Sequence, residues 1–143
     1  MPATKKIPEI MKMHHYHLEG ILNRFVKSRN EYEVFPMVFN KFKWELEKHF
    51  FIEEKAIFTL IYSDDTESNE MKDDLLRQHR TILKDLKSIE EGLNSNLDTD
   101  LSEFKQSLIK HRDFEDESFY PILEQELDEE RKKEIRDRIS NPI

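Results

Sequence analysis

Apolar residues recur along most of the chain at intervals of three and four positions, the spacing of one face of an α-helix. Four long stretches carry this pattern, and short polar segments separate them. The pattern predicts amphipathic helices over about residues 8–27, 36–62, 69–93 and 100–127. Pro121 lies inside the fourth stretch and is expected to kink that helix, because proline lacks an amide donor and crowds the preceding turn.

Helices of similar length joined by short connections are typical of an up-down-up-down four-helix bundle. We therefore predict an all-α protein with one domain over residues 1–143, in which the bundle occupies about residues 8–127. Residues 128–143 are highly charged at helical spacing. This extension is expected to form a short terminal helix or a frayed tail.

The second and fourth predicted helices contain matching segments, HFFIEEKAIFTLI and HRDFEDESFYPIL, which begin at His49 and His111. When the two segments are aligned, histidine matches histidine and Glu53 matches Glu115. Five apolar positions match as well: Ile52, Ile57, Phe58, Leu60 and Ile61 align with Phe114, Phe119, Tyr120, Ile122 and Leu123. The second half of the chain therefore repeats the pattern of the first half.

The first and third predicted helices carry one histidine each in comparable surroundings. His15 and His79 both have apolar residues at −4, +3, +7 and +10. The chain thus consists of two copies of a helix with a single histidine, each followed by a helix with His-x-x-x-Glu. At ~1.5 Å per residue, these side chains are all expected ~15–20 Å from the connections, in one layer of the bundle.

The spacing of these residues predicts a metal site. Residues at i and i+4 lie on the same face of a helix, so the histidine and the glutamate of each motif point the same way. Imidazole and carboxylate ligands together suit iron, manganese or zinc. Two carboxylates that bridge and four imidazoles that cap fit a dinuclear centre better than a single ion. The candidate ligands are His15, His49, Glu53, His79, His111 and Glu115.

Composition excludes several other kinds of site. The chain has no cysteine and only two glycines, which excludes disulfides, thiolate sites and Gly-rich phosphate loops. A net charge of −8 argues against nucleic acid or an anionic membrane as the partner. No stretch approaches the ~20 apolar residues that span a bilayer. We expect a cytoplasmic protein.

The segments KHFFIEEKAIFTLI and KHRDFEDESFYPIL resemble the paired signatures of the hemerythrin-like HHE cation-binding domain. The segments MKMHHYHLEGIL and LLRQHRTILKDL are similar to its single-histidine helices, so that the resemblance covers about residues 11–127. It implies a bundle around a non-haem, oxo- or hydroxo-bridged centre of two iron ions. Carried over to this chain, the four histidines named above would be terminal ligands, and Glu53 and Glu115 would be the bridges.

Two assignments within this set stay open. His14, His15 and His17 compete on the first helix: the repeat favours His15, whereas the centre of the apolar stripe favours His14. On the fourth helix, Glu115 competes with Asp116, because the oxygen-carrying members of the family use an acid at +5 from the last histidine. The symmetry of the repeat favours Glu115.

A further position departs from the oxygen-carrying members, which have His-x-x-x-His on the third helix. Here His79 is followed at +4 by Leu83, so one iron is expected to keep an exchangeable position unless His14 or His17 occupies it. Glu54 is expected to lie on a solvated face or at the rim of the site. Tyr120 could hydrogen-bond the centre, but packing is the expected role.

The resemblance implies a function in binding or sensing O2, NO or cellular redox state. The alternatives are iron storage or delivery, repair of iron centres, and oxidase or peroxidase-like chemistry. No general acid–base residue stands out beyond the candidate ligands, which favours a binding protein over an enzyme. A sensor of this kind is expected to act through a separate protein partner.

Overall fold

The computed structural model describes residues 5–28, 35–94 and 101–140, and all regular structure in these ranges is helical. This confirms the all-α class, while the up-down-up-down order of the helices stays a prediction. The predicted connections around residues 29–34 and 95–100 lie outside the described residues. The elements in chain order are α1 (Ile7–Lys27), α2 (Phe35–Ile52), a π-helical turn (Glu53–Ile57), a 3₁₀ turn (Phe58–Leu60), α3 (Thr66–Asn94), α4 (Ser102–Phe114), a second π-helical turn (Glu115–Phe119), α5 (Tyr120–Glu126) and α6 (Glu129–Ser140).

Helix starts follow local signals in the sequence. Pro8 lies in the first turn of α1, where a missing amide hydrogen is tolerated. Helix α3 begins at Thr66, three residues before the predicted start. Asp65 explains the difference, because its carboxylate accepts the Tyr62 amide at 2.8 Å and its carbonyl accepts the Asn69 amide at 2.8 Å. The turn is thereby closed directly before the helix.

The second and fourth predicted helices are interrupted, and the interruption begins at the glutamate of each motif. The amide of Phe58 donates to the carbonyl of Glu53, and the amide of Tyr120 donates to the carbonyl of Glu115. These are the i→i−5 bonds of a π-helical turn. Pro121 does not create the interruption, because the matching turn in the first repeat contains no proline. Pro121 instead lies in the first turn of α5.

Two apolar clusters form the core, and a polar layer separates them along the helices. In α1, Met11 belongs to one cluster and Leu18 to the other, with the buried His15 between them. Helix α3 repeats this arrangement with Leu75 and Ile82 on either side of its own histidine. None of the helices in the described ranges combines the length and apolar character that crossing a membrane requires.

In its described part, which ends at Ser140, the extension after residue 127 forms a docked helix and not a frayed tail. Ile135 and Ile139 of α6 are fully buried in the cluster that contains Met11. The guanidinium of Arg131 donates to the carboxylate of Asp65 at 2.6 Å and 3.1 Å, which ties the start of α6 to the start of α3. Helix α6 therefore covers one end of the core.

Candidate metal centre

The structure brings the six predicted site residues together in the polar layer. They form two groups of four buried residues, and the ligand atoms within each group lie within 4.8 Å of one another. Both groups include Glu53 and Glu115. One group is completed by the histidines of α1 and α2, and the other by those of α3 and α4. The two groups therefore share both carboxylates.

Each glutamate lies between two histidines that belong to different groups. The Oε1 atom of Glu53 is 3.2 Å from Nε2 of His49 and 3.3 Å from Nε2 of His79. In the other repeat, Oε1 of Glu115 is 3.2 Å from Nε2 of His15 and 3.3 Å from Nε2 of His111. One oxygen of each carboxylate thus faces both halves of the site.

The acid that follows each glutamate orients a histidine from the outside. Nδ1 of His15 donates to Asp116 at 2.8 Å, and Nδ1 of His79 donates to Glu54 at 3.0 Å. These bonds direct Nε2 of each ring into the site. Asp116, considered above as an alternative bridge, lies outside both groups of four. Glu54, expected on a solvated face or at the rim, is partly exposed, and its carboxylate also holds a buried imidazole.

A third site histidine also has a hydrogen-bond partner outside the site, and the sequence did not predict it. Nδ1 of His111 donates to Oε1 of Gln78 at 2.7 Å, which directs Nε2 of this ring inward as well. Gln78 immediately precedes His79 in α3. The ring of Phe50 stacks on His79, with 3.9 Å between the ring centroids, and meets His111 edge-on at 5.5 Å. Packing and hydrogen bonding therefore both restrict the orientation of these two histidines.

Tyr120 connects the two carboxylates, so its role extends beyond packing. Its side chain is completely buried, and its hydroxyl donates to Oε2 of Glu53 and lies 3.4 Å from Oε2 of Glu115. Burial beside two carboxylates raises the pKa of Tyr120 well above its usual value, which keeps the hydroxyl protonated and able to donate. The equivalent residue in the first repeat is Phe58, which has no hydroxyl, so the repeat gave no signal for this contact.

The other two histidines of α1 point elsewhere. Nε2 of the half-buried His14 donates to the carbonyl of Ile139 in α6 at 3.0 Å. His17 is exposed and faces Glu45, with 3.9 Å between Nε2 and Oε2. Of the three candidates on this helix, only His15 belongs to a group of ligand atoms in the described part of the chain.

The inward-facing atoms of the site fit a cation. Five of them are buried and have no hydrogen-bond partner: Nε2 of His15, His79 and His111, and Oε1 of Glu53 and Glu115. Two ligand atoms about 2.1 Å from one ion are about 3.0 Å apart at a right angle and about 3.4 Å apart at a tetrahedral angle. The separations of 3.2 Å and 3.3 Å match this range. Unpaired lone pairs at such spacing are the arrangement that a metal ion satisfies.

Protons on the histidines balance the carboxylates when no metal is bound. Burial opposes the charged form, yet the carboxylates of Asp116 and Glu115 raise the pKa of His15 to about 10. The pKa of His79 is also raised against its burial, by Glu53 and Glu54. The pKa of Glu53 is held well below its usual value despite burial, mainly by His49. The site therefore favours positive charge next to its glutamates.

A small cavity of about 30 Å³ borders the site. Its polar wall includes three of the site histidines and Glu115, and apolar side chains such as Leu22 and Leu108 form much of the rest. Leu83, expected near an open position, does not line this cavity. It packs on the apolar core one helical turn beyond His79 and lines a separate depression beside Glu47 of α2.

The comparisons with known proteins agree with this geometry. The family model described as Hemerythrin HHE cation binding domain matches residues 6–123, a span that includes all six residues of the centre. Neither the curated proteins nor the solved structures contain a match to this chain.

We predict that the metal-free protein loses stability as the pH rises from about 6.5 to about 10. The pKa of His15 is raised on folding from 6.5 to about 10, so its stabilising contribution is complete below 6.5 and disappears as the pH passes the folded value. Thermal melts of chelator-treated protein across this range should show the decrease. His15→Gln should flatten the profile, whereas His17→Gln should leave it unchanged. A wild-type profile that is flat from pH 6.5 to 10 would contradict this prediction.

We predict that the outer carboxylates act on metal affinity and not on metal stoichiometry. Asp116→Ala and Glu54→Ala remove the acceptors of two histidine Nδ1–H groups, and loss of such partners typically lowers affinity by ~10–100-fold. Competition with a calibrated chelator measures the change, and Glu117→Ala, an exposed acid in the same π-helical turn as Asp116, is the matched control. If Asp116→Ala halved the metal content at saturation, Asp116 would itself be a ligand.

Proposed function

The chain belongs to the hemerythrin HHE cation-binding domain family, and we propose that its four buried histidines and two buried glutamates hold two metal ions, with iron as the preferred metal. One observation carries the proposal. Two groups of four ligand residues share Glu53 and Glu115, and most of the atoms that face inward have no other partner. Such a set of buried polar atoms is costly unless a cation completes it.

The arrangement of the imidazoles supports two ions and not one. The rings pair as His15 with His49 and as His79 with His111, and the ring centroids of each pair are 4.9 Å apart. Each pair, together with the two carboxylates, offers four ligand residues to one ion. The shared carboxylates are then placed to contact both ions.

Nitrogen and oxygen donors without sulfur suit iron, manganese and zinc, and the family resemblance favours iron. Iron in this site would supply reversible redox chemistry and a coordination position for a small molecule. The protein's own contribution is to keep the ligands oriented. Asp116, Glu54 and Gln78 hold three of the rings from outside, and Tyr120 holds the outer oxygens of the carboxylates.

The cavity beside the site supports a small diatomic ligand such as O2 or NO. Its volume of about 30 Å³ accommodates a molecule of this size but not a larger substrate. Apart from the site residues themselves, its polar lining consists of Glu19 and Arg112, which pair with each other at 2.6 Å. The Tyr120 hydroxyl is already engaged by carboxylates. These features favour binding or sensing, with readout through a protein partner, over acid–base catalysis.

We predict two iron ions per chain after anaerobic loading, with near-ultraviolet charge-transfer absorption on exposure to air. His49→Ala and His111→Ala should each lower the iron content, because each removes one of the imidazoles that cap an ion. His17→Ala is the control and should retain both ions, because its ring lies outside the site. Iron analysis per chain measures the outcome. A constant content of one ion per chain would contradict the dinuclear site.

We predict that filling the cavity slows the binding of NO by the reduced, iron-loaded protein. Leu108→Phe places a larger side chain in the cavity wall and should lower the rate severalfold in stopped-flow mixing. Leu83→Phe is the matched control, because Leu83 lines a different depression. The iron content of both variants should match that of the wild type. Equal NO rates in the wild type and Leu108→Phe would show that small ligands do not use this cavity.

A further inference from the structure

The two histidines outside the centre share one surface depression. The chain has six histidines, and four of them belong to the buried groups. The remaining two, His14 and His17, line a depression of about 370 Å³ together with Glu45 of α2 and the site residue His49. Every histidine of the chain therefore lies either in the centre or in a depression that reaches it.

We propose that His17 and Glu45 form an exposed, weak binding site for a divalent cation, from which the ion passes along His14 to the buried centre. This transit site rests on the proposed function, because it needs a centre to supply. It differs from the centre in location and in strength. Two protein ligands leave most of the ion's coordination to water, so the ion is held briefly and released.

The spacing of the pair fits a shared ion. Nε2 of His17 and Oε2 of Glu45 are 3.9 Å apart and belong to adjacent helices, α1 and α2. Two ligands about 2.1 Å from one ion are separated by about 3.0 Å at a right angle and by about 4.2 Å when they are opposite each other. The observed separation lies between these two values, and a small rotation of the exposed His17 ring reaches either of them without movement of a helix.

Exposure decreases in steps from the surface to the centre. The side chain of His17 is 68% exposed, His14 is half-buried, and the side chain of His49 is 7% exposed. The rings of His14 and His49 are 6.5 Å apart, centroid to centroid. Because Nε2 of His14 donates to the carbonyl of Ile139, the neutral ring carries its free lone pair on Nδ1. His14, which lines the same depression as the surface pair, can therefore offer a ligand atom on the route.

The nearby lysine does not occupy the His17–Glu45 pair, which therefore stays available for a cation. Lys48 also lines the depression, but its Nζ lies over the ring of Trp44, 5.1 Å from the centroid. A second depression reaches the centre at His15 and contains more acids.

Three of the four acids of that second depression are already engaged, and the fourth is the exposed Glu117. Asp116 accepts from His15 at 2.8 Å, and Glu19 and Asp113 contact Arg112 at 2.6 Å and 3.1 Å. Because Lys12 and Arg112 also line this second depression, the route past His17 is the better of the two for a cation.

The kinetics of metal uptake test this transit site. Metal-free protein is mixed with Co2+ in a stopped-flow instrument, and the visible absorption of bound Co2+ reports filling of the centre. We expect the double variant His17→Ala/Glu45→Gln to fill about threefold to tenfold more slowly than the wild type, since a charged ligand pair at the entrance accelerates capture. The final Co2+ content should be unchanged. Glu117→Gln, in the second depression, is the matched control and should fill at the wild-type rate.

The outcomes separate failure of the transit site from failure of the centre. Equal filling rates for the wild type and the double variant, with equal final content, would overturn the transit site alone. A lower final content in the double variant would place His17 in the centre and also overturn it. A wild-type chain that binds no Co2+ at all would overturn the proposed function and the transit site together.

A direct measurement complements the kinetics. Substoichiometric Mn2+ added to the metal-loaded protein should broaden the NMR signals of the His17 ring, and Glu45→Gln should weaken this effect. Broadening that is absent in the wild type would contradict a binding site at this pair.

Discussion

The structure depends on one constraint: polar atoms buried in the middle of the bundle must all find partners. No lysine or arginine is buried among the described residues, so no fixed cation balances Glu53 and Glu115. The hydrogen bonds that are available are used on the outer side of the site, by acceptors for the Nδ1 atoms and by Tyr120 for the outer carboxylate oxygens. The inner lone pairs remain, and they converge. Protons on the histidines or bound metal ions are the two ways to satisfy them.

The π-helical turns give each repeat two acids that act on the same histidine. In the first repeat, Glu53 faces Nε2 of His79 while Glu54 accepts from its Nδ1. In the second repeat, Glu115 faces Nε2 of His15 while Asp116 accepts from its Nδ1. Each turn begins at the first acid of its pair. The break in the helix is therefore a part of the site, as such turns often are.

The sequence was sufficient to predict the helical class and the residues that come together, because both follow from periodicity. His49 and Glu53 lie four positions apart in one helix, and the second repeat supplies the same pair again. The π-helical turns could not be predicted in this way, since one extra residue per turn leaves the pattern of apolar positions almost unchanged. The expected break at Pro121 was therefore placed about six residues too late.

Contacts between helices were the other part that the sequence did not predict. Gln78 precedes a predicted ligand, but nothing local indicates that its amide oxygen holds His111 of another helix. Tyr120 has an apolar counterpart in the first repeat, so the repeat favoured packing over a hydrogen bond from its hydroxyl. The symmetry of the repeat favoured Glu115 over Asp116, but it did not indicate that the two acids lie on opposite sides of the same imidazole.

We propose that two ions lie between the two groups of ligand residues and share both glutamates. Diffraction from crystals of the iron-loaded protein, recorded on both sides of the iron absorption edge, measures this directly. We expect two anomalous peaks per chain, one beside His15 and His49 and one beside His79 and His111, both in contact with Glu53 and Glu115. A single peak, or peaks that leave one histidine pair without a metal, would contradict it.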